Sequence, residues 1–243
     1  MAVFNVGTSG WHYEWWKGHV YPPELPTSKW LSFFAERLDT CEINNSFYRN
    51  PKATTWEDWK ATVPEQFLFA VKASKWVTWT KLLVDVEASL GRFLDGAKML
   101  GPHLGPVLYQ LPPWFRHKPE HVGRLEAFLR IIPNDTRAVF EFLHPSWWVQ
   151  DTFDLLNRHD AGFSFSDRHD KEFPLEVTGG FGYLRMHGPG LGPEGNYAEE
   201  SLVAWAERIR GLGARVPELF VYFDNDHNGF AFHNAVRMRE LLA

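Results

Sequence analysis

Glu42 and Asn44 in "TCEIN" stand two residues apart, as do Arg185 and His187 in "YLRMH", and each pair therefore shares one face of an extended segment. Single polar residues interrupt or end other apolar runs. Lys72 lies in "FLFAVKA", Gln110 in "PVLYQL", Glu141 in "AVFEFL" with His144 just beyond, and Asp167 closes "GFSFSD". The run "LFVYFD" continues into Asp224, Asn225 and Asp226. Carboxylates, imidazoles and two kinds of cation are the parts of proton-transfer chemistry on an anionic or hydroxylated ligand. Lys72 and Arg185 would hold a carboxylate or phosphate. Glu141 would act as general acid or base, with His187 as a second proton carrier, while Glu42, Asn44 and Gln110 would orient hydroxyls. Buried charges need partners, and the expected pairs are Lys72 with Glu141 or Glu42, and Arg185 with Glu141.

Eight short apolar runs recur along the chain, at 3–7, 40–44, 67–73, 106–111, 138–143, 162–167, 183–187 and 219–224. Segments with apolar residues at three- and four-residue steps separate most of them: 27–38, 86–101, 120–132, 151–159, 199–212 and 229–242. A further helix is expected near "TTWEDWKAT", where Thr54 and Glu57 have capping-box spacing, and Gly101 suits a helix C-cap. The connection "RHDKEFPLEVTGG" is weak as a helix. Strands alternating with helices predict parallel βαβ units. Eight units in 243 residues favour one closed (β/α)₈ barrel, a single domain over residues 1–243. In such barrels chemistry sits at the C-terminal strand ends, where the polar residues above fall.

Large rings crowd the loops that follow these strands. "GTSGWHYEWWKG" supplies Trp11, Tyr13, Trp15 and Trp16; Phe47, Tyr48, Trp76, Trp79, Trp114, Phe115, Trp147 and Trp148 follow the next four runs. Core filling is the plain explanation for most of the 20 Phe, and it explains the 12 Trp less well, since many adjoin Gly, Pro, Lys or His. Rings around a charged floor suit stacking on a sugar or nucleobase. On this reading Trp11, Tyr13, Tyr48, His144, Trp147, Asp224, Asn225 and Asp226 join the substrate-binding set, and the glycines at 7 and 10 let the backbone turn tightly.

Several motifs do not carry the chemistry they suggest. "GTSG" is not a nucleophile elbow. "DNDHNG" begins like a calcium loop but has Ala235 where the bidentate Glu belongs. In "GPGLGPEGN", Pro189 and Pro193 remove two amide donors, so a lid is as good a reading as a phosphate loop. The 11 His show neither His-x-x-x-His nor His-Glu-x-x-His spacing, and Cys41 sits inside a strand run.

The segments "GTSGW", "CEINNSFYR", "FLFAVKA", "VLYQLPP", "VFEFLHPSWW", "YLRMHG" and "VYFDND" together resemble the YecE-like proteins, a TIM-barrel family known as a domain of unknown function. The resemblance spans nearly the whole chain and implies a single TIM-like barrel, with no established reaction. Its motif residues fall on Glu42, Asn44, Phe47, Tyr48, Lys72, Gln110, Glu141, His144, Trp147, Arg185, His187, Asn225 and Asp226. Asp224 departs from it, since an amide is more usual there, and Asn45-Ser46 replaces a more usual Ser-Thr pair.

Three functions are open at this level. The first is an enzyme acting on a small polar or anionic ligand, sugar- or nucleotide-like, by metal-independent acid/base chemistry and with no cofactor expected. The second is a hydrolase or isomerase using a divalent metal held by Glu42, Glu141, Asp167, His187 and Asp224, against which the nearby cations weigh. The third is a binder of a nucleotide or single-stranded nucleic acid on the rim, where Arg49, Lys52, Lys75, Lys81, Arg116 and Lys118 interleave with the rings. A net charge of −5 weighs against the third. One cysteine, no signal-like leader and no apolar run of membrane-spanning length predict a cytoplasmic protein that does not enter a membrane.

Overall fold

The computed structural model describes residues 2–167, 173–190 and 195–243. Eight strands, β1 (Val3–Ser9), β2 (Thr40–Ile43), β3 (Leu68–Lys72), β4 (Leu104–Leu111), β5 (Ala138–Phe142), β6 (Gly162–Ser166), β7 (Gly182–Met186) and β8 (Glu218–Phe223), pair in parallel and in chain order. β8 closes on β1 over six residue pairs, so the barrel has no free edge. The eight apolar runs and the eight strands coincide.

Helices α1 (Trp30–Ala35), α2 (Asn45–Tyr48), α3 (Ala53–Thr62), α4 (Glu87–Ala97), α5 (Pro119–Ile131), α6 (Gln150–Arg158), α7 (Glu199–Gly213) and α8 (Phe230–Leu242) surround it. Each longer helix buries one stripe; α5, for instance, turns in Leu125, Phe128 and Leu129 at three- and four-residue spacing. None of the described helices is long and apolar enough to cross a membrane. Two expectations shift. α3 starts at Ala53 after an extended Lys52 with no side-chain cap, which leaves Thr54 inside the first turn rather than at its boundary. Gly101 does adopt φ +58°, but a 3-10 segment continues through it to His103. The connection expected to be weak as a helix has residues 168–172 outside the described residues, and its remainder, 173–180, is neither helix nor strand. The lid reading of 188–196 rests partly on residues 191–194, which also lie outside them.

Two cores result from strand alternation. Outward-facing residues pack under the helices, while Ala70, Leu108, Val139, Phe181, Tyr183, Phe220 and Tyr222 form a separate cluster inside the barrel. Side chains two residues further along a strand share its face. Above Ala70, Leu108, Val139, Tyr183 and Tyr222 therefore stand Lys72, Gln110, Glu141, Arg185 and Asp224. An apolar layer thus plugs the barrel, and a charged layer lies on it at the C-terminal mouth.

Candidate active site

Arg185 is the centre of that layer. Its side chain is 1% exposed and its guanidinium reaches three carboxylates. Nε and Nη2 donate to Glu42 at 3.0–3.2 Å, Nη1 to Glu141 at 3.1 and 3.3 Å, and Nη2 to Asp224 at 3.1 Å. Residues of other strands complete the carboxylates' shells. Glu42 also accepts from Ser9 Oγ at 2.8 Å and Tyr183 Oη at 2.6 Å, and Glu141 accepts from Gln110 Nε2 at 2.7 Å. The register makes two of these contacts, because Ser9 pairs with Glu42 and Gln110 with Glu141 across their ladders, while Tyr183 reaches Glu42 through the barrel interior from β7.

His187 lies over the same cluster, its Nδ1 3.0 Å from Asp224 Oδ2 and its Nε2 3.8 Å from Glu141. Burial opposes its ionisation, yet the nearby Asp224 and Glu141 carboxylates outweigh it and raise the imidazole above its ordinary pKa. Burial likewise pushes Glu141 upward, but the charges of Arg185, His187 and Lys72 hold it well below the carboxylate range. The same balance, with Arg185 opposing burial, lowers Asp224 to about 2. Glu141 is thus held toward its ionised form and is engaged by Arg185 and Gln110. His187 is the group of this layer whose contacts favour its protonated form. Asp167 steadies this part of the site, accepting from the His187 amide at 2.6 Å and from the Tyr197 hydroxyl.

Lys72 is the exception in the layer. Among the described residues it has no carboxylate within 4 Å, and its Nζ lies 4.7 Å from the centre of the Phe47 ring. The expected Lys72–Glu141 and Lys72–Glu42 ion pairs do not form, because Arg185 has taken both carboxylates. Burial first, then the Arg185 charge, pulls its pKa down.

Lys72, Arg185 and Asp224 open on a cavity of about 860 Å³ walled by Trp11, Tyr13, Asn44, Phe47, Tyr48 and Trp59. The opening of the chain builds one side. Gly10 at φ +96° swings it out of β1, and a Cβ there would lie 2.6 Å from the Tyr13 hydroxyl, which donates to the Ser9 carbonyl. Trp11 packs edge-on against Trp59 at 5.3 Å, and the Trp15 and Trp16 indoles donate to the Asp226 carbonyl, tying this loop to the end of β8. Opposite, α2 carries Phe47 inward and leaves Tyr48 80% exposed. Ser46 holds α2 to β3 through the Lys72 carbonyl, 2.7 Å away. Asn44 Oδ1 is buried with no hydrogen-bond partner among the described residues.

The structure therefore brings together Glu42, Lys72, Gln110, Glu141, Arg185, His187 and Asp224 as a floor, with Trp11, Tyr13, Asn44 and Tyr48 as walls. Roles change within that set: Glu42 and Gln110 bind Arg185 and Glu141 rather than facing a ligand, and the Arg185 fork has no arm left for an anion. Asp226 is half-buried beside Asp224, and burial with that neighbouring charge pushes it up to about 6. Three predicted site residues lie elsewhere. Trp147 is fully buried, stacked on Phe115 and Phe142, and its indole donates to the Phe115 carbonyl. Asn225 is buried and donates to the Gly195 carbonyl and Asn234, holding the loop ends. His144 caps the short turn 145–147 and bonds Ser146. Sequence reasoning missed Ser9, Tyr183 and Trp59; the in-phase position of Tyr183 two residues before Arg185 was a usable signal. Among the described residues no three His, Cys, Asp or Glu side chains stand where they would hold a metal ion, since the carboxylates face Arg185.

The fold and this floor define a TIM-barrel protein with an inward-facing cluster of acidic and basic side chains at the C-terminal ends of its strands. The family model described as "Protein of unknown function DUF72" matches residues 5–243, and the chain belongs to that family, for which YecE-like is an equivalent name. It is 27% identical over 271 residues to the UPF0759 protein YunF of Bacillus subtilis strain 168, covering 99% of this chain and 95% of that one. A crystal structure of a DUF72 family protein from Thermotoga maritima MSB8 superposes with a TM-score of 0.88 at 28% identity, covering 99% of both chains. A DUF72 family protein from Enterococcus faecalis V583 has the same fold, with a TM-score of 0.82 at 19% identity over 100% of this chain and 98% of that one.

Proposed function

We propose that the protein is an enzyme that binds a small polar, anionic or sugar-like ligand in the mouth cavity and moves protons on it without a metal. The observation that carries this reading is the unequal use of two cations. Arg185 is saturated by three carboxylates, whereas Lys72 faces an aromatic-walled cavity and has no carboxylate partner among the described residues. A ligand's anionic or electron-rich oxygen would meet Lys72, its hydroxyls the Asn44 amide, and its flat face the rings of Trp11, Tyr13 and Tyr48. His187, oriented by Asp224, would exchange the proton, and Glu42, Glu141 and Arg185 would keep the floor rigid and charged.

The test is a thermal-shift and calorimetric screen of sugar phosphates, sugar acids and nucleotides, with turnover of each binder followed by NMR. Lys72→Met should lose binding, and His187→Asn should keep binding and lose turnover. A ligand held equally well by Lys72→Met would refute the assignment.

A second reading has its own observation. Trp15, Tyr48, Trp76 and Trp114 are each half or more exposed around the mouth, and Lys81 lies 5.7 Å from the Trp76 ring centre. Such a rim would stack on a single-stranded nucleic acid, and oligonucleotide retention that falls with salt would support it.

A further inference from the structure

We propose that Lys72 is a nucleophilic amine that forms a Schiff base with the carbonyl carbon of a small hydroxylated aldehyde or ketone, such as an open-chain sugar. The inference deepens the reading of the mouth cavity as a ligand site and rests on it.

Four features of the surroundings distinguish this lysine from an anchoring cation. It projects from the end of β3 onto the charged layer, two residues beyond Ala70 of the apolar plug, and its backbone is fixed in the β4 ladder opposite Leu108. Its Nζ is directed to the Phe47 ring at 4.7 Å, and among the described residues no carboxylate lies within 4 Å to fix the ammonium form. Arg185 supplies a permanent positive charge in the same layer. Burial and that charge lower the amine's pKa against the opposing pull of Glu141, Glu42 and Asp224, which raises the fraction of neutral nucleophile. Finally, Lys72 lines the cavity together with Asp224, whose Oδ2 lies 3.1 Å from Arg185 Nη2 and 3.0 Å from the His187 imidazole.

The step balances with what the site holds. The Nζ lone pair forms the N–C bond while the carbonyl π pair moves to oxygen. The nitrogen gives up one proton and the oxygen takes one, leaving a neutral carbinolamine. A second proton, from the protonated His187–Asp224 pair, lets the hydroxyl leave as water as the nitrogen lone pair closes the C=N bond. Amine, carbonyl and one proton become iminium and water, with no oxidant or reductant. The iminium then acts as an electron sink for breaking a bond to the adjacent carbon, a C–H or a C–C bond. Asn44, with its unpartnered amide oxygen, would receive a substrate hydroxyl. The aromatic walls keep water from hydrolysing the intermediate early.

The experiment is reductive trapping. The wild-type protein is incubated separately with glycolaldehyde, glyceraldehyde, dihydroxyacetone and pyruvate in the presence of sodium cyanoborohydride, and adducts are counted by intact mass and located by peptide mapping. Lys72 should be labelled at least tenfold faster than every other lysine, to one adduct per chain. Lys72→Arg, which keeps the charge and removes the nucleophile, should lose that adduct while the slow labelling of exposed lysines persists. Labelling spread over exposed lysines with Lys72 unmodified overturns the proposal. A parallel thermal-shift series separates the two failures. Compounds that stabilise wild type and Lys72→Arg but not Lys72→Met, without trapping, leave Lys72 as an anion anchor. Anionic and carbonyl compounds that stabilise all three proteins equally remove the ligand-site reading as well.

Discussion

Replacing Arg185 by Met tests whether one guanidinium holds the floor together. The change keeps the length of the side chain but leaves Glu42 and Glu141, at 0% and 1% exposure, and the partly exposed Asp224 without their common partner. Removing one member of a buried ion pair costs about 3–5 kcal/mol, because the remaining charge stays desolvated. At about 2–4 °C per kcal/mol for a chain of this size, the melting temperature should fall by roughly 6–20 °C. The pH dependence gives a sharper signature. In the wild type Glu141 and Asp224 have lowered pKa values, so their stabilisation is present above the unfolded carboxylate value and is lost as pH falls toward the folded one. Without the guanidinium, burial dominates and raises those carboxyl groups. Their contribution is then present in acid and lost as pH rises. The stability gap between the two proteins should therefore be widest near pH 7 and narrow toward pH 4. Urea unfolding followed by tryptophan fluorescence at several pH values measures it. The triple variant Glu42→Gln, Glu141→Gln, Arg185→Met should recover most of the loss. A gap below about 1 kcal/mol at pH 7, or one that does not change with pH, would refute the reasoning.

Three further outcomes follow from the same geometry. His187 should titrate above an ordinary imidazole by NMR, and Asp224→Asn should lower it; its stabilising contribution is present below the unfolded imidazole pKa and is lost as pH rises through the folded one, so an unmoved titration in Asp224→Asn would sever the pair. Gly10→Ala places a Cβ against the Tyr13 hydroxyl at positive φ and should cost about 1–3 kcal/mol in thermal or urea unfolding; a variant as stable as the wild type would show that the turn is not strained. Native mass spectrometry after incubation with Mn²⁺ or Zn²⁺ and desalting should find less than one ion per chain, and a stoichiometric ion that disappears in the Glu141→Gln, His187→Ala double variant would shift the function to metal chemistry.

The alternation of period-two and period-3.6 patterns specified eight strands, the order of elements and the residues at the strand ends. These are local properties: a Lys or Glu two residues past an apolar position is on the same face whatever the rest of the chain does. Partner choice was not local. Arg185 meets Glu42 across 143 residues and Glu141 across 44, and only closure of β8 on β1 brings those strands around one point. Sequence spacing therefore paired Lys72 with carboxylates that the tertiary structure gives to Arg185. The aromatic loops divided for the same reason. Trp147 and Tyr48 both follow a strand, but Trp147 falls between Phe115 and Phe142 and becomes core, while Tyr48 ends a four-residue helix pointing at solvent. Composition and periodicity determine which side chains can reach the mouth of this barrel. Which of them neutralise one another, and which one is left facing the cavity, is decided by charges competing for partners in a space that exists only once the sheet has closed.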